Sequence, residues 1–205
     1  RNRNNCLVHA SADIVMILDD DVTIKSEYIQ QVRDLFENED IDVACSKVKT
    51  PDNQPSYKTY TDYPVLLDKL HQFKSVSSVE ISLRLKSISD KSILFDERFG
   101  LGTKLSSGEE FVFLVECWRQ KLKIKYFPVF TVEHDYQSSG KDKSFLSDEK
   151  LMVAGAHSFY LFGNKAYIYN FLSVFRRFFA IIKSGINPVH FLKMKNAGSS
   201  CLRSY

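Results

Sequence analysis

Ile14-Val15-Met16-Ile17-Leu18-Asp19-Asp20-Asp21-Val22 decides the reading, because five apolar residues run without a break into three carboxylates. A continuous aliphatic run of this length suits a strand buried on both faces in the middle of a parallel sheet. In open α/β sheets ligands sit beyond the carboxyl ends of the strands, which is where Asp19, Asp20 and Asp21 fall. Adjacent carboxylates repel one another and are costly at a half-buried strand end, so a divalent cation is expected among them. Hard oxygen ligands suit Mg2+ or Mn2+, and such an ion keeps its remaining positions for water and the phosphates of a substrate. The plainer alternative is a solvated acidic turn ahead of a helix starting near Ser26.

At 205 residues, 44% hydrophobic and 26% charged, the chain suits one α/β domain with a small appendage. No apolar run approaches the ~20 residues of a membrane-spanning helix, and no secretory signal opens the chain. Arg1 stands first in place of Met, so the start is expected to have been cut or processed. Cys6, Cys45, Cys117 and Cys201 lie far apart with no Cys-x-x-Cys pair. That spacing argues against a zinc site or a disulfide framework and points to a reducing, cytoplasmic compartment. The net charge of +3 hides an asymmetry: from Lys150 onward there are 8 basic residues and no acidic ones, while all 25 acids lie earlier. A tail of that kind meets an anionic partner, either nucleic acid or the inner leaflet of a membrane.

Residues 2–12 read as the end of a helix leading into the aliphatic strand. After the carboxylates, Ser26 is expected to cap a helix that buries Tyr28, Val32, Leu35 and Phe36. Ile41, Val43 and Cys45 then alternate like a strand, completing a strand, crossover helix, strand unit. Residues 50–64 hold Pro51, Pro55 and Pro64 among tyrosines and polar residues, and read as a long functional loop. A short helix over 65–73 and a half-buried strand through Ile81, Leu83 and Leu85 follow. Ser106, Ser107 and Gly108 precede a helix with Glu109 and Glu110 in its first turn and Phe111, Phe113, Leu114, Cys117 and Trp118 on its apolar face. Ile124 to Val132 reads as a strand interrupted by Pro128, near an edge, that delivers Glu133 and His134. Ser138 to Glu149 is polar, charged and expected to be mobile. Between Ala166 and Ser184 a helix would carry a thin polar stripe of Asn170, Ser173 and Arg177 beside a wide apolar face. That face is expected to pack on the core or to lie in a membrane interface.

The ordered set of Asn2-Arg3-Asn4, Asp19-Asp20-Asp21, Phe99-Gly100-Leu101-Gly102, Ser107-Gly108-Glu109-Glu110 and His134 resembles family-2 glycosyltransferases of the GT-A fold, from Asn2 to about Tyr136. The resemblance implies a Rossmann-like, mostly parallel α/β sheet flanked by helices, with a C-terminal helical extension and with the first strand and helix of the family missing. It implies that Asp19 and Asp21 form the Asp-x-Asp motif for Mn2+ or Mg2+ and the donor diphosphate, with Asp20 beside it, and that His134 completes the metal shell. Gly100 and Gly102 match a glycine loop beside the acceptor. The family's acidic pair is here Glu109-Glu110, so the base position carries Glu110, one methylene longer than the usual Asp. Arg3 falls where it can touch the diphosphate.

The implied protein is an inverting transferase moving a sugar from a nucleoside diphosphate to a hydroxyl acceptor in surface polysaccharide or lipid-linked glycan synthesis, with no nucleic acid partner. The expected division is a catalytic domain over 1–149 and a basic amphipathic tail over 150–205 that docks peripherally on the inner membrane face. Two other readings stay open. Asp19, Asp21 and Thr23 also match the nucleophile loop of haloacid-dehalogenase-like phosphohydrolases, which leaves the glycines, the paired glutamates and His134 unexplained. An inactive membrane-docking fragment would account for the tail alone.

Overall fold

A computed structural model describes residues 2–136 and 146–205. The chain divides into two compact units, Arg1–Phe95 with Phe113–Ser138, and Asp96–Val112 with Ser139–Tyr205. The second unit therefore takes in a segment from the middle of the sequence as well as the C-terminal helices.

The first unit is a five-stranded sheet with helices. In chain order its elements are α1 (Asn2–His9), β1 (Ile14–Met16), α2 (Ser26–Asn38), β2 (Val43–Lys49), β3 (Val65–Leu66), α3 (Leu70–Phe73), β4 (Ile81–Arg84), α4 (Leu85–Ser89) and β5 (Ile124–Glu133). α5 (Glu109–Arg119) begins in the second unit and ends in the first. The strand order is β1-β4-β2-β5-β3. β1, β2 and β5 run in one direction, as a strand, helix, strand reading requires. β4 enters between β1 and β2 in the opposite sense, so β2 with β5 is the parallel neighbour pair and the other three pairings are antiparallel.

The aliphatic strand is shorter than expected and does not lie mid-sheet. β1 forms one end of the described sheet, with Ile14, Val15 and Met16 half-buried and Ile17 fully buried. α2 buries Tyr28, Val32 and Phe36 at the expected spacing, with Lys25 in the cap position and Ser26 already helical. Val32 and Phe36 pack with Ile41, Ala44 and Phe127. The helix expected over 65–73 is replaced by β3, which pairs with β5, followed by a single turn at α3. β4 has no wet face, since Ser82 is as buried as Ile81 and Leu83, and Leu85 turns into α4. β5 lies inside the sheet between β2 and β3. Its Pro128 falls where the β2–β5 register slips between Cys45 and Lys47, a bulge that spares a proline the ladder bond it cannot make.

The second unit holds α6 (Asp148–Phe162), α7 (Ala166–Arg176), α8 (Phe178–Lys183) and α9 (Pro188–Arg203). The helix expected across 166–184 breaks at Arg177. Leu151, Ile181 and Phe191 form its apolar centre. Most of the polar run expected to be mobile lies outside the described residues. Among the described residues no helix is long and apolar enough to cross a membrane.

Candidate functional site

In the first unit the chain leaves β1 with Ile17 bonded through its N–H to the Ile81 carbonyl. Leu18 and Val22 turn inward onto Val48, Tyr57, Val79 and Val132, which leaves Asp19, Asp20 and Asp21 on the outer side of the turn. Thr23 then exchanges both backbone hydrogen bonds with Glu133, at 2.8 and 2.9 Å, and so fixes the turn to the end of β5. The next residue of that strand end, His134, is held by its N–H on the Lys49 carbonyl of β2 at 2.9 Å. Two strand ends and one turn therefore bring Asp21 and His134 together, with 3.3 Å between Oδ1 and Nε2.

The imidazole of His134 is 6% exposed and has the Tyr57 ring at 5.7 Å. Its Nδ1 lies 2.6 Å from the Asp135 carbonyl, an acceptor, so Nδ1 carries the hydrogen in the neutral ring and Nε2 presents a lone pair toward Asp21. Two lone pairs face one another there unless a proton or a cation is shared between them. The separation suits a cation, since two ligands at about 2.1 Å on adjacent octahedral positions lie about 3.0 Å apart. Among the described residues no group of three or more His, Cys, Asp and Glu side chains is arranged to hold a metal.

Asp19 has other partners. Arg3 donates to its Oδ1 at 2.9 Å, and Ser78 donates to its Oδ2 at 3.4 Å. Arg3 also lies over the Phe95 ring at 5.7 Å. The first carboxylate of the motif is thus charge-paired by the arginine that the sequence reading aimed at a phosphate. Asp20 is exposed.

Two residues after Ser78, at the same 3-10 turn, lies a group that the sequence pattern does not announce. Glu80 is 4% exposed and accepts hydrogen bonds from Lys58 at 2.6 Å, Tyr60 at 2.6 Å and the Ser77 N–H at 2.5 Å. Tyr60 also accepts from the Val48 N–H. Burial, together with the Glu80 carboxylate, pushes the Tyr60 hydroxyl well above its ordinary range. Lys58, Tyr60 and Glu80 border a cavity of about 300 Å³ with Cys45, Ser46 and Tyr126. The Ser46 hydroxyl is buried there with no hydrogen-bond partner among the described residues, and burial pushes the Cys45 thiol far up. The proline-rich loop announced Lys58 and Tyr60 only as a long loop, and nothing local in the sequence marks Glu80 as their partner.

The remaining sequence candidates belong to the second unit. Gly100 (φ +105°) donates its N–H to the Leu105 carbonyl, closing the glycine loop. A Cβ at Gly100 would stand 3.1 Å from the Glu109 carboxylate, so the loop and the first glutamate are neighbours. Glu109 and Glu110 open α5 as expected. The turn before them is held by His157 of α6, whose Nε2 lies 3.1 Å from the Gly108 carbonyl while its ring packs between Phe99 and Phe111. A side chain at Gly108 (φ +93°) would overlap that ring. His157 was invisible to motif reading because its partner is a backbone atom 49 positions away.

The sequence pattern of Glycosyl transferase family 2 matches residues 1–91. Over this part, less than half of its 205 residues, the chain is similar to glycosyltransferase family 2. The fold is similar to that of the crystal structure of S. aureus TarS 1–349, with a TM-score of 0.57 at 16% identity over 78% of this chain and 44% of that one. The same protein with UDP-GlcNAc gives 0.56 at 15% identity over 78% and 46%, and with UDP 0.55 at 16% over 78% and 44%. The likeness establishes the GT-A fold expected from the sequence. The chain spans less than half the length of these structures. No curated protein matches it.

Proposed function

We propose that this chain is part of an inverting, cation-dependent glycosyltransferase that moves a sugar from a nucleoside diphosphate to a hydroxyl acceptor. The Asp21–His134 pair carries the reading: a carboxylate oxygen and an imidazole lone pair 3.3 Å apart at the strand end suit a cation that completes its shell with water and a diphosphate. Mn2+ or Mg2+ bound there would neutralise charge on the departing diphosphate. Asp19 acts in this scheme by holding Arg3, whose guanidinium can then meet the same phosphates from a fixed position. In the family's pattern Glu110 takes the proton of the acceptor hydroxyl as it attacks the anomeric carbon, and Gly100 and Gly102 leave room for the acceptor. Solved TarS with UDP and with UDP-GlcNAc favours a uridine donor for this fold.

Incubation with a panel of nucleoside diphosphate sugars, with Mn2+ or with a chelator, tests the proposal. Release of nucleoside diphosphate that needs the cation and disappears in Asp21→Ala is the expected result. Cation-dependent phosphate release from simple phosphomonoesters, with none from sugar donors, would instead establish the phosphohydrolase reading.

A further inference from the structure

α7 is built inside out. Its polar residues Asn170 and Ser173 are buried, at 0% and 7% exposure, while Ile168, Phe171, Leu172 and Phe175 stand outward at 50% or more. The inward residues meet a prepared polar interior on α9. Asn170 donates to Asn196 and to Ser199, Ser199 donates to the Gly155 carbonyl of α6, and Lys195 donates to Ser173 at 2.9 Å. Lys195 itself is 6% exposed. α6 and α9 cross at backbone distance, since a Cβ at Gly155 would overlap the Lys195 carbonyl and one at Gly198 the Met152 carbonyl. Small residues at the crossing, polar groups inside and apolar groups outside describe helices packed for a non-aqueous surrounding.

The outward surface continues through the elbow at Arg177 into α8, where Phe178, Phe179 and Ile182 are exposed, Phe179 to 88%. Water would leave this patch as a standing cost. Arg176 and Lys183 are exposed at its edges, and no acidic residue occurs from Lys150 to Tyr205. A second copy meeting the patch face to face would set these cations against one another. An anionic lipid surface would neutralise them while its acyl boundary takes up the phenylalanines.

We infer that α7 and α8 form a docking surface for an anionic membrane, with Phe171, Phe175, Phe178 and Phe179 entering the headgroup–acyl boundary and Arg176 and Lys183 meeting lipid phosphates. The surface stands apart from the transferase proposal, because none of these residues takes part in the chemistry assigned above.

Flotation of the full chain with vesicles of phosphatidylcholine alone, and with phosphatidylglycerol added, is the test. Binding to the anionic vesicles, weakened by high salt, is expected. Phe175→Glu with Phe179→Glu should cost at least about tenfold in vesicle affinity, and Arg176→Gln with Lys183→Gln should remove the salt dependence. Circular dichroism of each variant checks folding, and donor turnover on the same samples reports the transferase reading separately. Absence of flotation with a folded chain would overturn the inference. So would a lipid-free dimer, seen by light scattering, that the paired Phe→Glu changes dissociate.

Discussion

The turn at Asp19–Asp21 and the elbow of α7 and α8 sort their side chains in opposite senses. Around the turn, Leu18 and Val22 go inward and the carboxylates stay out, the arrangement water dictates. In α7 the amide and hydroxyl go inward and the phenyl rings stay out. Burial therefore follows the partners provided. Asn196 and Ser199 receive the amide hydrogens of fully buried Asn170, while its Oδ1 is buried with no partner among the described residues, and on the outer side Phe171 and Phe175 meet each other, 5.2 Å between ring centroids.

The comparison breaks at its largest scale if the acidic turns are merely solvated. Glu110→Gln should then leave turnover intact, whereas the base role predicts a fall in kcat of about 10²–10⁴-fold with donor affinity kept, read by steady-state kinetics and donor titration. At the next scale, Asn170→Leu should destabilise the chain by about 1–3 kcal/mol in a denaturant titration, because Ser199 and Asn196 lose their donor inside the unit. An unchanged midpoint would mean that the polar interior contributes nothing. The opposite sign is expected at Ser46, whose hydroxyl is buried without a partner among the described residues. Ser46→Ala should be neutral or stabilising by up to about 1 kcal/mol, and a clear loss would reveal a partner in solution.

The smallest effect concerns acid stability of the second unit. Burial raises the Asp96 carboxyl, but hydrogen bonds from Arg98 outweigh it, and the group titrates below its ordinary range. A folded-state value below the unfolded ~3.9 means stability that is present above that pH and lost as pH falls through the folded value. Asp96→Asn should flatten the stability profile on this acid side, by under about 1 kcal/mol, and leave it unchanged at neutral pH apart from a constant offset.

Legibility in the sequence followed the range of the interactions. α2 was readable because Tyr28, Val32 and Phe36 repeat at helical spacing, and the GT-A fold followed from the order of short motifs. The contents of β3 were misread as helix because Val65 and Leu66 become a strand only by pairing with Tyr126 and Lys125, some sixty positions away. β4 was read as half-wet because alternation of Ser82 with Ile81 and Leu83 cannot show that β1 and β2 enclose it. At the site, the resemblance puts Asp21 and His134 in one metal shell and the structure holds them 3.3 Å apart, while Arg3, expected to touch the diphosphate, pairs with Asp19. Glu80 and His157 were missed since each is defined by a partner brought in by the fold. The α7 pattern was visible as a stripe, but periodicity carries no sign, and only the packing on α9 says which side faces in.

Cys45 gives the first unit a built-in clock. Its thiol is 2% exposed beside the Glu80 cavity and is held strongly protonated by burial, so an alkylating reagent can attack only after the neighbouring segments part and water admits the thiolate. The rate of labelling at this sulfur therefore times how often the residues around the cavity part.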